Sequence, residues 1–197
     1  MKKTSIISIL FFLMFNSFSF AQENAMVRVR ALGVSPDVSD NIGGNIAINN
    51  ESVPEVDFSY FFHPNFAVEL ILATATHDVN LNGTGSLGSV SLLPPTLLAQ
   101  YHMDFGMFKP YVGAGINYTI FYGEVPGDMA STKYDDSFGY ALQLGTDIKV
   151  AQNMYLNFDV KKLYLQTDAT VDTGSGVVKA EVDIDPLLVG VGIGFRF

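Results

Sequence analysis

The stretch that most limits what this chain can fold into runs from Val182 to Phe197, VDIDPLLVGVGIGFRF. In alternate positions, Leu187, Val189, Val191, Ile193, Phe195 and Phe197 fall on one side, and Leu188, Gly190, Gly192, Gly194 and Arg196 on the other. Side chains two residues apart share a face in a strand, because successive side chains point in opposite directions. One face is wholly apolar and the other is small or charged. A soluble sheet seldom carries Phe on its apolar face to the last position. A transmembrane barrel strand is expected to, with its aromatic residues at the membrane interface.

Similar alternation recurs along the chain. It predicts strands at Ala25–Val34, Val53–Phe62, Phe66–Thr76, Leu92–Asp104, Phe108–Tyr122, Tyr134–Val150 and Met154–Gln166 before the terminal one. Long connections rich in Gly, Asn and Ser (35–52, 77–91, 123–133 and 167–181) alternate with short turns at 63–65, 105–107 and 151–153. Short turns on one side and long loops on the other are the pattern of an outer-membrane barrel. The fold expected is all-β, an eight-stranded antiparallel transmembrane β-barrel. Aromatic girdles fall to Phe and Tyr, since there is no Trp. Tyr60, Phe66, Tyr101, Tyr155 and Phe195 are expected on the turn side. Tyr118, Tyr122, Phe138 and Tyr140 are expected on the other. Lys161-Lys162 breaks strict alternation and marks either a bulge or the membrane edge.

With 197 residues the chain supplies one domain. Met1-Lys2-Lys3, the apolar run from Ile6 and the small residues Ser19 and Ala21 read as a secretory signal peptide over 1–21, leaving 22–197 as the barrel. No cysteine is present, so no disulfide holds an exported domain together. Barrel closure is an alternative source of stability, because every backbone group then finds a partner. The net charge of −9 becomes −11 without Lys2 and Lys3. An acidic balance of that size argues against nucleic acid, which needs a basic surface.

The polar faces of these strands carry a set of charges that must be housed inside. Arg28, Arg30, Lys161 and Arg196 are opposed by Glu55, Asp57, Glu69, Asp104, Asp147 and Asp159. Opposite charges in a narrow closed lumen are expected to pair into a plug, since buried charge is costly unless compensated. Pro94-Pro95 is the most informative local feature. Proline cannot donate to a ladder, so this pair either interrupts pairing and opens a side exit, or marks the start of a strand. In the first case Ile71, Leu92, Leu93, Pro94, Pro95 and Leu98 are expected to line the passage.

Catalytic and metal signals are weak. His63, His77 and His102 show no metal-ligand spacing. Ser59, His102 and Asp104 supply the residue types of a hydrolytic triad, but no nucleophile elbow accompanies them. The terminal glycines are followed by no helix and form no phosphate loop. Neither an enzyme nor a cofactor is expected.

Several segments together resemble the outer membrane protein W (OmpW) family of eight-stranded barrels. They are Val27-Arg28-Val29-Arg30-Ala31, Leu93-Pro94-Pro95-Thr96, the run Lys109 to Thr119 (KPYVGAGINYT), and Asp185-Pro186. The resemblance covers nearly the whole chain after residue 21, although Trp residues common in the family are absent. It implies a narrow barrel in the outer membrane of a Gram-negative-type bacterium, linked to passage of small hydrophobic compounds. In some members it also implies use as a phage or bacteriocin receptor.

Three classes of function fit these residues. The first is a narrow channel for small hydrophobic molecules, with lateral release near Pro94-Pro95. The second is a sealed structural or adhesive barrel whose outer loops act as a receptor surface. The third is a soluble lipocalin-like carrier, which requires the aromatic rows to face inward. Expected partners are outer-membrane lipids, small apolar molecules and the barrel-assembly machinery, the last through the C-terminal strand.

Overall fold

The computed structural model describes residues 24–41, 46–48, 50–81, 85–128, 131–172, 174 and 176–197. The signal-peptide reading of 1–21 therefore lies outside the described residues. Among the described residues, fourteen strands form one sheet: β1 (Ala25–Ser35), β2 (Val38–Asp40), β3 (Ile46–Ile48), β4 (Glu51–His63), β5 (Phe66–Ala73), β6 (Ala75–Leu81), β7 (Gly85–Leu93), β8 (Thr96–His102), β9 (Phe108–Pro126), β10 (Ser131–Tyr134), β11 (Ser137–Lys149), β12 (Met154–Asp172), β13 (Val177–Ile184) and β14 (Leu187–Arg196).

Eight of them close a ring, β1-β4-β5-β8-β9-β11-β12-β14, each antiparallel to its neighbours. The seam joins β1 to β14 from Met26↔Arg196 to Ser35↔Leu187. It is finished by reciprocal bonds between Ala25 and Phe197, at 2.9 and 2.8 Å. Closure leaves no strand edge, which is what permits a sheet to stand in hydrocarbon.

The alternation inferred from sequence gives the ring its two faces. Val29, Val56, Leu70, Leu97, Val112, Leu142, Val160 and Val189 are exposed on the outside, where lipid takes the place of water. Arg28, Glu55, Glu69, Gln100, Asn117 and Asp159 are buried inside. A lipocalin-like carrier is excluded by this orientation, because its interior must be apolar at this level. Tyr155 corrects the expected girdle. It pairs with Gly194, one of the inward glycines, and is buried beside Met26, Phe61 and Ala67. No register shift accompanies Lys161-Lys162; Lys161 points in, and Lys162 lies level with the lipid-facing Leu142 and Leu187. There its ammonium reaches the Asp185 carbonyl and lies 5.9 Å from the Tyr164 ring.

The larger correction concerns the long connections. Much of what their Gly, Asn and Ser content marks as loop is strand. β6 and β7 form a hairpin across 77–91, β12 and β13 another across 167–181, and β2 and β3 cap them by pairing with β13 and β6. β7 and β10 complete this upper tier by pairing with β9 and β12. Above the lipid, outward residues need not be apolar, so Thr76, Asp78, Lys179 and Glu181 face out while Val79, Val90, Ala180 and Val182 pack inside. Pairing partners supplied by the neighbouring hairpins override the weak strand propensity of these segments.

Candidate functional site

The inward side chains of β1 describe the interior from the short-turn end toward the upper tier: Met26, Arg28, Arg30, Leu32, Val34. Met26 belongs to a small apolar floor, the two arginines to a polar layer, and Leu32 and Val34 to an apolar cluster above it. Strand geometry dictates this order, since every second residue climbs the same inner wall.

The polar layer is closed. Arg28 grips Asp147 through two bonds, Nε to Oδ1 at 3.0 Å and Nη2 to Oδ2 at 2.7 Å. Its Nη1 also donates to Asp57 at 2.9 Å and Ser59 at 2.7 Å. Arg30 donates to Asn157 at 2.7 Å, Glu55 at 2.7 Å and Glu69 at 3.1 Å. Lys161 bridges Glu55 and Asp159, both at 2.7 Å. Gln100 and Gln143 each donate to Glu69 at 2.8 Å, and the Tyr111 hydroxyl donates to Asp159 at 2.8 Å. Inward glycines make the space for these side chains. A Cβ at Gly145 would stand 2.4 Å from the Tyr111 ring, and one at Gly192 would stand 2.7 Å from Arg30 Cγ. Buried donors and acceptors matched in this way resist separation, because each broken pair leaves an uncompensated group.

Two charges expected in this layer lie elsewhere. Asp104 is exposed, since β8 ends at His102 and the chain turns. It accepts from the Gly106 amide at 2.8 Å and pairs with Lys109. Those contacts, the Lys109 bond first, hold its carboxyl below the usual range. Arg196 lies at the short-turn mouth of the barrel, with its guanidinium 4.1 Å from the Phe61 ring centroid. With Asp104 outside, no Ser59-His102-Asp104 arrangement forms. His102 instead bonds Gln100 at 3.0 Å and lies between the Phe61 and Tyr111 rings.

Above the plug lies a small, partly open apolar chamber. Leu32, Val34, Val53, Leu163 and Leu188 line its lower part, and Val79, Val90, Phe121 and Ile184 its upper part. Leu92 and Pro94 are among the walls. Ile71 and Leu98 are fully buried in the apolar cluster between plug and chamber. Leu93 and Pro95 are not among the lining residues: Leu92 and Pro94 face in, so their neighbours alternate outward. Most of the upper wall was missed in the sequence. The available signal was alternation continuing past the lipid band, as at Val79 and at Val182 with Ile184.

One side of this chamber has a break. β5 pairs with β8 only as far as Ile71↔Thr96, and β6 pairs with β7 only from Ala75↔Leu92. Between them, residues 72–74 face 93–95 without ladder pairs. Pro94 and Pro95 have no N–H to offer, and their carbonyls turn to β9: Asn117 Nδ2 donates to them at 3.3 and 3.4 Å, and the Tyr118 amide to Pro95 at 3.1 Å. Inside the break stand Ala73, Pro94 and Thr119 of the chamber wall; outside stand the exposed Leu72, Leu97 and Tyr118.

An eight-strand ring, a hydrophobic outer band and a charged interior are a barrel built to stand in a membrane. The sequence profile of the OmpW family matches residues 19–197. The chain belongs to the OmpW family. It is an outer-membrane β-barrel of the Gram-negative envelope. An uncharacterised outer-membrane protein of Sinorhizobium fredii is 42% identical over 180 residues, spanning 87% of this chain and 79% of that protein. The dibenzothiophene metabolism operon protein PahQ of Pseudomonas aeruginosa is 30% identical over 161 residues, spanning 79% of this chain and 76% of that one. Among solved structures, the outer membrane protein OprG of Pseudomonas aeruginosa superposes with a TM-score of 0.78 at 29% identity, covering 88% of this chain and 96% of OprG. Among the described residues, no group of His, Cys, Asp and Glu is arranged to hold a metal.

Proposed function

We propose that this OmpW-family barrel takes small apolar molecules from the outer aqueous side into its chamber and releases them sideways into the outer leaflet through the break at Pro94-Pro95. The observation that carries the reading is the stacking of an apolar chamber directly on a closed ionic plug. An apolar solute gains by entering the chamber, at roughly 25 cal/mol for each Å² it removes from water. It meets a prohibitive desolvation cost if it must pass between paired charges. The lower route is thus closed to it, and the side break, flanked by lipid-facing Leu72 and Leu97, is the favourable exit. The name of the relative PahQ, which ties it to dibenzothiophene metabolism, agrees with an apolar cargo. Residues 1–21 are the export signal in this reading, and the barrel-assembly machinery receives β14.

The test is a titration of an environment-sensitive apolar dye into the detergent-refolded barrel, with a sealed small barrel as control. Saturable binding that weakens in Leu92→Trp and Leu98→Trp supports the chamber. Partitioning no greater than the control returns the protein to a sealed barrel whose outer surface acts as a receptor. For the lateral step, Pro94→Ala with Pro95→Ala restores two donors and lets the ladder zip across the break. Uptake of an apolar compound by cells is expected to fall. Unchanged uptake removes the side exit from the proposal.

A further inference from the structure

On the outer surface, immediately above the break, one hydrogen bond crosses from one lip to the other. Tyr122 of β9 and Thr74, between β5 and β6, are bonded hydroxyl to hydroxyl at 2.6 Å. β7 runs between them. Register places Tyr122 beside Ser91 and Ser91 beside Thr76, so Tyr122 leans down one step, across the outside of Leu93, to reach Thr74. Leu93 is the last ladder-paired residue before the prolines, matched to Ile120. The bond therefore spans the point where the wall changes from continuous sheet to unpaired chain.

The two lips are otherwise joined only weakly at this height. Up the wall the ladder resumes at Ala75↔Leu92, and a second hydroxyl pair, Thr76 with Ser91 at 2.9 Å, joins the strands one step further on. Residues 72–74 and 93–95 share no ladder pair. On the β9 side, Pro95 is fastened by the Tyr118 amide and by Asn117. On the opposite lip Leu72 and Ala73 are held by β4, at Val56 and Glu55, and Thr74 lies just past the last of those pairs. Thr74 itself is in neither the β4–β5 nor the β6–β7 ladder, so widening of the break at this height moves it away from Tyr122 and breaks their bond.

We infer that Tyr122 and Thr74 form a latch that holds the lateral break narrow, and that Tyr122 is a positioning residue setting how often an apolar solute escapes to lipid. The inference rests on the lateral route proposed above. Tyr suits the role because its ring packs on apolar surface at the membrane boundary while its hydroxyl reaches a partner.

The experiment measures the initial rate at which N-phenylnaphthylamine, which fluoresces on entering a membrane, is taken up by Gram-negative cells. Their own barrel of this family is deleted and replaced by the full chain. Tyr122→Phe and Thr74→Val each remove one hydroxyl and are expected to raise the rate by about two- to tenfold, the population shift that one net hydrogen bond supplies. The double variant is expected to match either single variant, because both delete the same bond. Thr74→Ser keeps the hydroxyl and is expected to restore the parental rate. Surface level and heat-modifiable mobility on gels are followed to show that each variant folds. If both hydroxyl deletions leave the rate unchanged or lower it while the double proline replacement reduces it, the latch is wrong and the lateral route stands. If neither set changes the rate, the route fails and the latch with it.

Discussion

Arg28 and Asp147 meet fork to fork across the barrel interior although 119 residues separate them, with Nε–Oδ1 at 3.0 Å and Nη2–Oδ2 at 2.7 Å. Two parallel bonds fix both planes, which a lysine ammonium cannot reproduce. The pair joins β1 to β11 across the lumen, on strands that are not sheet neighbours, and so braces the ring from within.

Removing one member of this pair leaves the other buried without a counterion. Arg28→Met is therefore expected to destabilise the barrel by about 3–5 kcal/mol. Arg28→Lys is expected to recover only part of that. Urea titration of the barrel in vesicles, followed by heat-modifiable gel mobility, measures both. A wild-type midpoint for Arg28→Met contradicts the bracing role.

The plug opposes three cations, Arg28, Arg30 and Lys161, to five carboxylates, Glu55, Asp57, Glu69, Asp147 and Asp159. Loss of Arg28 leaves two against five. Any leak through the loosened lumen is then expected to favour cations, as rings of carboxylates do in channels. Planar-bilayer reversal potentials in a salt gradient read the sign directly; an anion-selective leak is incompatible with this charge layout.

Gly145 is where the Tyr111 ring crosses β11. A Cβ there would meet the ring at 2.4 Å and the Phe158 carbonyl at 2.8 Å, and the carbonyl belongs to the neighbouring strand and cannot swing away. Gly145→Val is expected to cost about 1–3 kcal/mol through overpacking and to displace the Tyr111 hydroxyl from Asp159. The same gel and bilayer measurements apply. Unchanged stability with no leak contradicts the assignment of Gly145 as the clearance for Tyr111.

Tyr134 of β10 lines the upper chamber and stacks on Phe121, with ring centroids 5.8 Å apart. Burial first, and the Glu124 charge second, push its hydroxyl up to about 12 from the usual 10.0. A group whose acid form is favoured in the folded state stabilises fully below its unfolded value, and that contribution is lost as pH rises through the folded value. The window is thus the alkaline one between those two values. An ultraviolet tyrosinate titration of the folded barrel, subtracted from that of Tyr134→Phe, is expected to isolate a late-ionising group. A difference spectrum that titrates at the ordinary value contradicts the enclosure of this side chain.

The lipid-spanning ring was legible because alternation is a local property. Lipid demands apolar residues outside and a narrow lumen accepts polar ones inside, so each strand states its own two faces, as β14 does from Leu187 to Arg196. The upper tier was less legible. Once strands leave the lipid, the outward demand disappears, and segments such as 85–91 and 177–181 read as loop by composition while their neighbours hold them as strand. Asp104 illustrates a smaller limit: the period of two carried it inward on paper, but β8 had already ended at His102.

By itself the sequence determined that this chain is an antiparallel barrel, which side of each membrane strand meets lipid, and that charges must be buried inside. Only closure of the ring decided which of those charges meet, because contacts across a lumen depend on the register of strands far apart in the chain. Arg28 with Asp147 and Lys161 with Glu55 are such pairs. The chamber likewise exists only in three dimensions. Its wall combines Leu32, Val79, Phe121, Leu163 and Ile184. Each of these is an ordinary inward apolar residue on its own strand, and they become a site only when the sheet curls round to bring them together.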